Sequence, residues 1–484
     1  MRTMKKSAIF LAAALTVLLC ACASEPPQTE QTQTSDETTG AITEAVTEID
    51  YTKQLPDADY GGEIFTIIAV SEEKSLGTVS YYREAENGDA FNDFIYNRNR
   101  DIEERYNIKI EEFRTDDITG NVKKVVGAGG DDYDMISDWI MNIVSSAPNG
   151  YYYNLLDIED LNLENPWWDQ QCIAPLTISD KLFAAFSDMN TQPLDRLPCV
   201  FYNQDIVSAL DLETPYEAVL NGSWTMERFH EMCKEAALDA DGDGKVSEGD
   251  RFGFIVGVGS FSVWMNAANE PLVTNENGNM TLNYGTEQGI NAAAKISEII
   301  NDPNYTVYLN EKAWGSERFN SGYAMFCEGT IGKLNQYRDL EFSLGVLPIP
   351  KLNEEQDQYY SMMSNNDMGV TFPTTASDIS RSAAIVEALG AFSYEKLHEV
   401  YYEITLQDKL TRDEYSPKML DIIIASKVVD IGIINESAWG NSIGSFFSEI
   451  RKNGADNFAS LAAKNESQFV SVRDKIVANY EALD

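Results

Sequence analysis

The stretch from residue 63 to residue 70 reads Glu-Ile-Phe-Thr-Ile-Ile-Ala-Val and is apolar enough to be buried on both faces. The strands of a parallel sheet are buried in this way. Residues 108–113 and 133–139 read as further strands, and a helix is predicted from Ala90 with Asp89 as its cap. The apolar side chains on one stripe of that helix are Phe91, Phe94, Ile95, Ile102 and Tyr106. Strand alternating with helix at this spacing predicts a parallel sheet flanked by helices.

The body continues this pattern to about Asp378, after which the sequence is predominantly helical. One helix is predicted from Trp224, with Thr225 as its cap. Further strands are predicted at residues 182–186, 197–202, 253–258, 323–327 and 344–348. The fold class is therefore predicted to be α/β, and the body is long enough for more than one domain.

The N-terminus has the order of features of a secretory signal peptide. Basic residues precede an apolar run over residues 8–19, which is shorter than the roughly 20 residues needed to cross a bilayer. Cys22 resembles the cysteine that bacterial lipoproteins carry at their cleavage site, whereas Cys20 would place bulky Leu19 there. We therefore predict a diacylated Cys22 that anchors the protein at the extracytoplasmic face of the cell membrane. An ordinary cleaved signal with a chance cysteine is the alternative.

Residues 23–56 are rich in Thr, Glu, Gln, Ser and Asp and contain almost no large apolar side chain. Such a composition cannot offset the entropy lost on ordering. We predict that this segment is a flexible stalk between the lipid and the folded body.

The chain is strongly acidic, with a formal net charge of -42. Removal of residues 1–21 leaves 33 basic against 78 acidic residues, a net charge of -45. The phosphate backbone of nucleic acids and anionic lipid surfaces are repelled by such a field. The charge therefore argues against nucleic acid as a partner.

Histidine and cysteine suggest no catalytic or zinc chemistry. A His-based zinc site or a Ser-His-Asp triad would need His230 or His398, and both are predicted to be ordinary residues on helix surfaces. The cysteines of the body allow three full disulfide pairings or none, and the spacing does not choose between them; they are Cys172, Cys199, Cys233 and Cys327.

Several segments, in this order, resemble bacterial extracellular solute-binding proteins of the maltose-binding type (family 1), the lipoprotein components of ABC importers. One of them is Leu-Pro-Cys-Val-Phe-Tyr-Asn at residues 197–203, and each segment alone is only moderately specific. The other segments are residues 165–169, 223–229, 239–254, 319–325 and 345–350. The resemblance spans nearly the whole body, from Tyr60 to Asp484.

The resemblance implies a bilobed, periplasmic-binding-protein-like (type II) fold, in which two α/β lobes are joined by a hinge of about three crossings. We place the crossings near residues 198–202, 323–328 and 369–373. The expected divisions are 1–21 as signal peptide, 22–58 as lipidated cysteine and disordered linker, 59–198 with 328–369 as lobe 1, and 199–327 with 370–484 as lobe 2.

The implied function is capture of a carbohydrate, with an oligosaccharide favoured, by hinge closure and its delivery to the membrane subunits of an ABC permease. Such a protein is expected to be a monomer and to break no bond. A secreted carbohydrate-active enzyme is one alternative. A ligand sensor or adhesin is another.

The acidic loop over residues 239–250 has the spacing of a calcium-binding loop. Oxygen ligands are needed at loop positions one, three, five, seven, nine and twelve, with glycine at position six for the tight turn. The corresponding residues here are Asp239, Asp241, Asp243, the Lys245 carbonyl, Ser247 and Asp250. Position twelve departs from the pattern because Asp250 replaces a longer glutamate, so Glu248 would have to help. We predict structural Ca²⁺, with a solvated acidic turn as the alternative.

Sugar clefts combine stacked aromatic rings with polar groups that donate and accept hydrogen bonds. In open α/β sheets such ligands lie at strand ends. The ligand-binding candidates chosen on these grounds are Asp138, Trp139, Asn190, Trp264, Asn365, Asp367 and Trp439, with Asn366 beside them. For any single tryptophan, core packing is the competing explanation, and Trp167 and Trp168 are assigned to packing.

Overall fold

Two mixed sheets with flanking helices organise the folded part of the chain. The structure is a computed structural model that describes residues 49–75, 81–244, 247–257, 260–283, 285–309, 315–394, 396–406, 413–439 and 442–483. The predicted signal peptide, Cys22 and most of the predicted stalk therefore lie outside the described residues, as does Lys245.

The strands are β1 (Glu63–Val70), β2 (Ile108–Thr115), β3 (Met135–Trp139), β4 (Pro198–Asn203), β5 (Phe252–Val256), β6 (Val273–Glu276), β7 (Asn279–Leu282), β8 (Thr306–Tyr308), β9 (Ala324–Thr330), β10 (Leu344–Leu347), β11 (Ser361–Met362), β12 (Met368–Thr371) and β13 (Lys427–Val428).

The helices are α1 (Ala90–Tyr106), α2 (Ile118–Gly127), α3 (Ile140–Ser146), α4 (Gln170–Leu176), α5 (Gln192–Arg196), α6 (Gln204–Ala209), α7 (Pro215–Leu220), α8 (Met226–Ala236), α9 (Ser260–Ala267), α10 (Glu287–Asn301), α11 (Gly315–Asn320), α12 (Ile379–Ser393), α13 (Lys396–Leu406), α14 (Ser416–Ala425), α15 (Ile431–Ile434), α16 (Ser442–Asn453) and α17 (Phe458–Glu481).

The first sheet has the strand order β12-β3-β1-β2. As predicted, β1 runs parallel to β2 and β3, and antiparallel β12 closes the far edge. The predicted cap of α1 is confirmed, because the Asp89 side chain accepts a hydrogen bond from the Asn92 backbone N–H. The helix ends at Asn107, whose φ of 47° is the left-handed conformation typical of a helix stop.

The second sheet has the order β10-β4-β9-β5-β8. Here β5 runs parallel to β8 and β9, whereas β4 runs antiparallel to β9 and β10. Helix α8 packs on β5, and its predicted cap Thr225 accepts a hydrogen bond from Arg228 N–H. Gly253 is required at this contact, because a Cβ there would lie 2.2 Å from the carbonyl oxygen of Cys233.

The strand pairing corrects several predictions about the lobes. Residues 323–328, predicted as a crossing, fall almost entirely within β9, which is paired on both sides within the second sheet. Strand β10, predicted in lobe 1, pairs with β4 in the second sheet. Helices α12 and α13, predicted in lobe 2, pack on α1 of the first lobe. These partners are remote in sequence, so local patterns carried no information about them.

The chain passes between the two sheets at residues 187–197 and again at residues 348–367. The second passage contains β11, which pairs in parallel with β13 of the C-terminal segment. Predicted crossings near residues 198 and 369 lie directly beside these passages. The last helix, α17, contacts residues 147–149 of the first lobe and α10 of the second, so it touches both lobes.

Other local expectations differ in detail. Residues 182–186 form only an isolated bridge, between Ala185 and Val370, instead of a full strand. The folded part begins earlier than residue 59, because the ring of Tyr51 packs edge-on against Trp167 and Tyr394. His230 is 1% exposed on α8, so the prediction of a surface position was wrong for it.

Candidate functional site

The carboxyl ends of β1, β2 and β3 meet at one edge of the first sheet, and antiparallel β12 begins there. In open α/β sheets this edge is where ligands bind. Five of the seven predicted ligand residues lie at or beside it: Asp138, Trp139, Asn190, Asn365 and Asp367. The structure thus brings together residues that are more than 200 positions apart in the sequence.

Asp138 is buried at the end of β3, and its carboxylate is held by three donors. The Trp139 N–H lies at 2.7 Å, the Asn142 amide at 3.0 Å and the Thr119 hydroxyl at 3.2 Å. Burial raises the pKa of Asp138 to about 6, and the three hydrogen bonds oppose this increase. A carboxylate has about four acceptor positions, so one is left for a further donor.

Trp139 is the one tryptophan among the candidates whose side chain is not fully buried. It precedes α3, and its backbone pairs with Met368 of β12. Its indole Nε1 has no hydrogen-bond acceptor among the described residues. This nitrogen is itself buried and closed to a ligand, whereas the partly exposed ring face is suited to stacking on a sugar.

Asn190 is buried and belongs to a chain of hydrogen bonds that reaches β3. Its amide donates to the Tyr81 hydroxyl at 2.8 Å, and that hydroxyl lies 2.9 Å from Ser137 Oγ. The Arg98 guanidinium, itself buried, donates to the backbone carbonyl of Tyr81 at 3.0 Å. This chain connects Asn190 to Ser137, the neighbour of Asp138 in β3, and protein partners occupy the Asn190 side chain.

The turn at residues 364–367 ends the second passage between the sheets, directly before β12. The carbonyls of Asn365 and Asp367 accept hydrogen bonds from the first N–H groups of α3. The Asp367 carboxylate is 0% exposed and accepts from Ser364 N–H at 2.7 Å, and burial raises its pKa to about 7. The Asn365 amide donates to Glu436 Oε2 at 3.1 Å. Both side chains therefore serve the turn and its contacts.

Two residues that the sequence analysis did not select tie this turn to the first passage. Gln192 donates to the Asn366 carbonyl at 3.0 Å and accepts from Met368 N–H at 2.9 Å. Arg196 donates to Ser364 Oγ at 3.0 Å. No signal in the sequence pointed to either residue, because their partners lie more than 160 positions away.

The two remaining candidates lie in hydrophobic cores. Trp264 is 0% exposed, packs against Phe229 and donates from Nε1 to Glu328 Oε2 at 2.8 Å. Trp439 is 1% exposed and packs edge-on against Phe469. The structure does not bring either ring to the edge where Asp138 and Trp139 lie.

Trp167 and Trp168 are buried, in agreement with their assignment to packing. Trp168 Nε1 donates to Glu387 Oε1 at 2.9 Å, and the same carboxylate accepts from the Asn165 amide. Among the residues that the structure describes, the four body cysteines are all free and buried. No disulfide pairing therefore arises from them.

In the acidic loop, the carboxylates of Asp239, Asp241 and Asp243 lie within 4.8 Å of one another and are exposed. The pKa of Asp241 is raised: the hydrogen bond from Asp243 N–H opposes this, but desolvation and the charges of Asp243, Asp239 and Asp250 outweigh it. This mutual repulsion is what a bound cation would relieve. The three carboxylates thus fit an oxygen-ligated cation.

The other loop positions are used differently. The Asp250 carboxylate is directed inward, where it accepts from Ala240 N–H at 3.0 Å and Ser247 N–H at 2.7 Å. The side chain of Glu248 lies 3.7 Å from the Arg318 guanidinium. The Asp250 carboxylate therefore closes the loop, and the Glu248 carboxylate pairs with the Arg318 side chain.

The fold is similar to that of several solved substrate-binding proteins. An ABC substrate-binding protein of Listeria monocytogenes, Lmo0181, solved with cycloalternan, has a TM-score of 0.51 and 12% identity, covering 87% of this chain and 99% of its own. The GacH receptor of Streptomyces glaucescens, solved unliganded and with acarbose, has a TM-score of 0.54 and 14% identity, covering 85% and 99%. A sugar transporter of Rhizobium etli, solved in an open conformation, has a TM-score of 0.56 and 12% identity, covering 87% and 100%.

This chain has the bilobed fold of ABC substrate-binding proteins. The predicted fold class is thereby confirmed, and the likeness extends over the full length of the compared structures. No protein-family model and no curated protein matches the sequence. Within the described part of the chain, no helix combines the length and hydropathy needed to span a bilayer.

Proposed function

We propose that the protein is an extracytoplasmic solute-binding protein of the maltose-binding type, which captures a carbohydrate and passes it to an ABC permease. The observation that carries this proposal is the match of almost the whole folded body to substrate-binding proteins, among them structures solved with cycloalternan and with acarbose. Both named ligands are carbohydrates built from several rings, which favours an oligosaccharide here.

The edge of the first sheet supplies groups suited to a sugar. Trp139 offers a partly exposed apolar ring face beside the Asp138 carboxylate, whose pKa of about 6 leaves it mainly ionised at neutral pH. An ionised carboxylate accepts hydrogen bonds from sugar hydroxyls. We infer that Trp139 and Asp138 form the first-lobe wall of the ligand site.

The proposed cycle needs a hinge and no bond breaking. Substrate enters between the lobes, the lobes close over it, and the closed complex docks on the permease. The passages at residues 187–197 and 348–367 would carry the rotation, since they are the links between the two sheets. Gln192 and Arg196 hold these passages side by side, so they would move together.

Two further features complete the proposal. Cys22 would carry the acyl chains that hold the protein at the outer face of the membrane, and the polar segment behind it would act as the stalk. The acidic loop would bind Ca²⁺ through Asp239, Asp241 and Asp243, with Ser247, the Lys245 carbonyl and Asp250 as further ligands. The calcium would be structural. The loop precedes β5 and lies at the amino end of that strand, away from the carboxyl ends at which ligands bind.

The test is a calorimetric binding screen of the purified protein against linear and cyclic oligosaccharides, followed by X-ray scattering with and without the best binder. We expect binding with a smaller radius of gyration and an unchanged sugar after overnight incubation. Release of new reducing ends would instead support the carbohydrate-active enzyme. Binding without compaction, in a protein whose deletion leaves sugar uptake intact, would support the sensor or adhesin.

A further inference from the structure

A small cavity lies where the end of α9 meets the C-terminal segment of the chain. Its polar lining comes from Asn266, Glu270, Asn283 and Asp430, with Met265 and Leu272 among its apolar walls. Its water-accessible volume is about 10 Å³. A cavity near this size has room for a single water-sized particle.

Asn266 presents an unsatisfied acceptor to this cavity. The residue is 2% exposed, and its amide nitrogen donates to the Ser262 carbonyl at 3.0 Å and to Asp430 Oδ2 at 3.2 Å. These two acceptors set the orientation of the amide, because exchanging its nitrogen and oxygen would place oxygen against oxygen. Its Oδ1 is therefore the buried atom that has no hydrogen-bond partner among the described residues.

The charges around the cavity are negative. The Asp430 carboxylate is buried and accepts from the N–H groups of Leu272 at 2.6 Å and Gly432 at 2.9 Å. Glu270 lies on the wall, and burial raises its pKa. The described lining contains no Lys, Arg or His.

We propose that this cavity binds one small metal cation through Asn266 Oδ1 and the Glu270 carboxylate, with Asp430 as the buried charge behind them. An amide oxygen and a carboxylate are ligands preferred by hard cations such as Ca²⁺. A water molecule would satisfy Oδ1 alone, whereas a cation is also attracted by the negative charge of the two carboxylates. The cation would join the end of α9 to the segment that begins at Asp430.

The proposed site is separate from the acidic loop at residues 239–243. The experiment therefore uses a protein in which calcium binding by that loop has first been impaired. In a protein carrying Asp241→Ala, Ca²⁺ is expected to raise the melting temperature by several degrees at constant ionic strength. Adding Glu270→Gln should abolish most of this shift, whereas adding Glu276→Gln, an exposed control on β6, should preserve it. Equal shifts with and without Glu270→Gln would overturn the proposal.

A crystal grown in Ca²⁺ gives an outcome that does not depend on variant stability. A bound cation would lie about 2.3–2.6 Å from Asn266 Oδ1 and from a Glu270 oxygen. A peak about 2.7–3.0 Å from those atoms would be a buried water, and the proposal would be wrong. An empty cavity at saturating Ca²⁺ would also refute it.

Discussion

The guanidinium of Arg196 lies against the buried carboxylate of Asp367, with Nε and Oδ1 3.6 Å apart. The pair joins the segment that leads into β4 to the turn that leads into β12. The pair thus connects the two passages between the lobes, which are far apart in the sequence. Asp367 is fully buried, so its ionised form depends on this guanidinium, on the Ser364 N–H and on the charge of Lys427.

Asp367 should make stability depend on pH. Burial raises its pKa to about 7, so between pH 4 and pH 7 the folded protein binds more protons than the unfolded chain. The free energy of unfolding should therefore fall as pH rises through this window. Asp367→Asn should remove up to roughly 4 kcal/mol of that dependence, since one pKa unit is about 1.4 kcal/mol.

The measurement is urea unfolding at pH 4 and pH 8. Asp134 and Asp138, with pKa values of about 6, contribute with the same sign in both proteins and cancel in the comparison. Asp357→Asn, on the exposed surface, is the control and should leave the pH dependence unchanged. An Asp367→Asn protein with the wild-type slope would show that the buried carboxyl does not titrate in this range.

The Arg196–Asp367 pair should be energetically coupled. Arg196→Ala leaves a buried carboxylate without its cation and should destabilise the protein at pH 8 by about 1–3 kcal/mol. In Asp367→Asn the same substitution should cost less, because no charge remains to be neutralised. The double-mutant cycle measures this coupling, and a coupling near zero would mean that the 3.6 Å contact carries no energy.

Trp139 should matter for binding and little for folding. Trp139→Ala is expected to weaken binding of the best oligosaccharide from the screen at least tenfold, since it removes the stacking face. Calorimetry measures this, with Trp139→Phe expected to retain part of the affinity. Tyr323→Ala, at an exposed aromatic ring that Arg318 covers, is the matched control and should bind normally.

Calcium should stabilise the acidic loop. Chelation is expected to lower the melting temperature of the wild-type protein, because three exposed carboxylates within 4.8 Å then repel one another. The effect of chelation should be smaller in Asp241→Ala, and the part that remains should come from the proposed site at Asn266 and Glu270. If both proteins respond to the chelator to the same degree, the loop is a solvated turn.

The contact between α8 and β5 should leave no room for a side chain at Gly253. A Cβ at Gly253 would lie 2.2 Å from a backbone oxygen of α8, so Gly253→Ala should cost at least about 1–3 kcal/mol. Gly127→Ala, at the end of α2 with nothing within 4 Å of the new carbon, should be neutral or slightly stabilising. Thermal unfolding of the two variants provides the comparison.

The elements whose causes are local were predictable from the sequence. The apolar run at residues 63–70, the stripe of α1 and the caps Asp89 and Thr225 each depend on neighbours a few positions away, and the structure contains them as predicted. The acidic spacing at residues 239–243 likewise brings three carboxylates together. The alternation of strand and helix patterns was sufficient for the α/β class, and the resemblance to solute-binding proteins of the maltose-binding type implied the bilobed fold.

Tertiary structure decided which segments meet. Strand β10 pairs with β4 across some 140 positions. Trp264 lies in the core because its Nε1 donates a hydrogen bond to Glu328 and its ring packs against Phe229. Asp367 lies buried at the hinge because Arg196 and the start of α3 surround it. Burial and long-range pairing arise from the sum of many contacts, so no local pattern distinguishes a tryptophan of the cleft from one of the core.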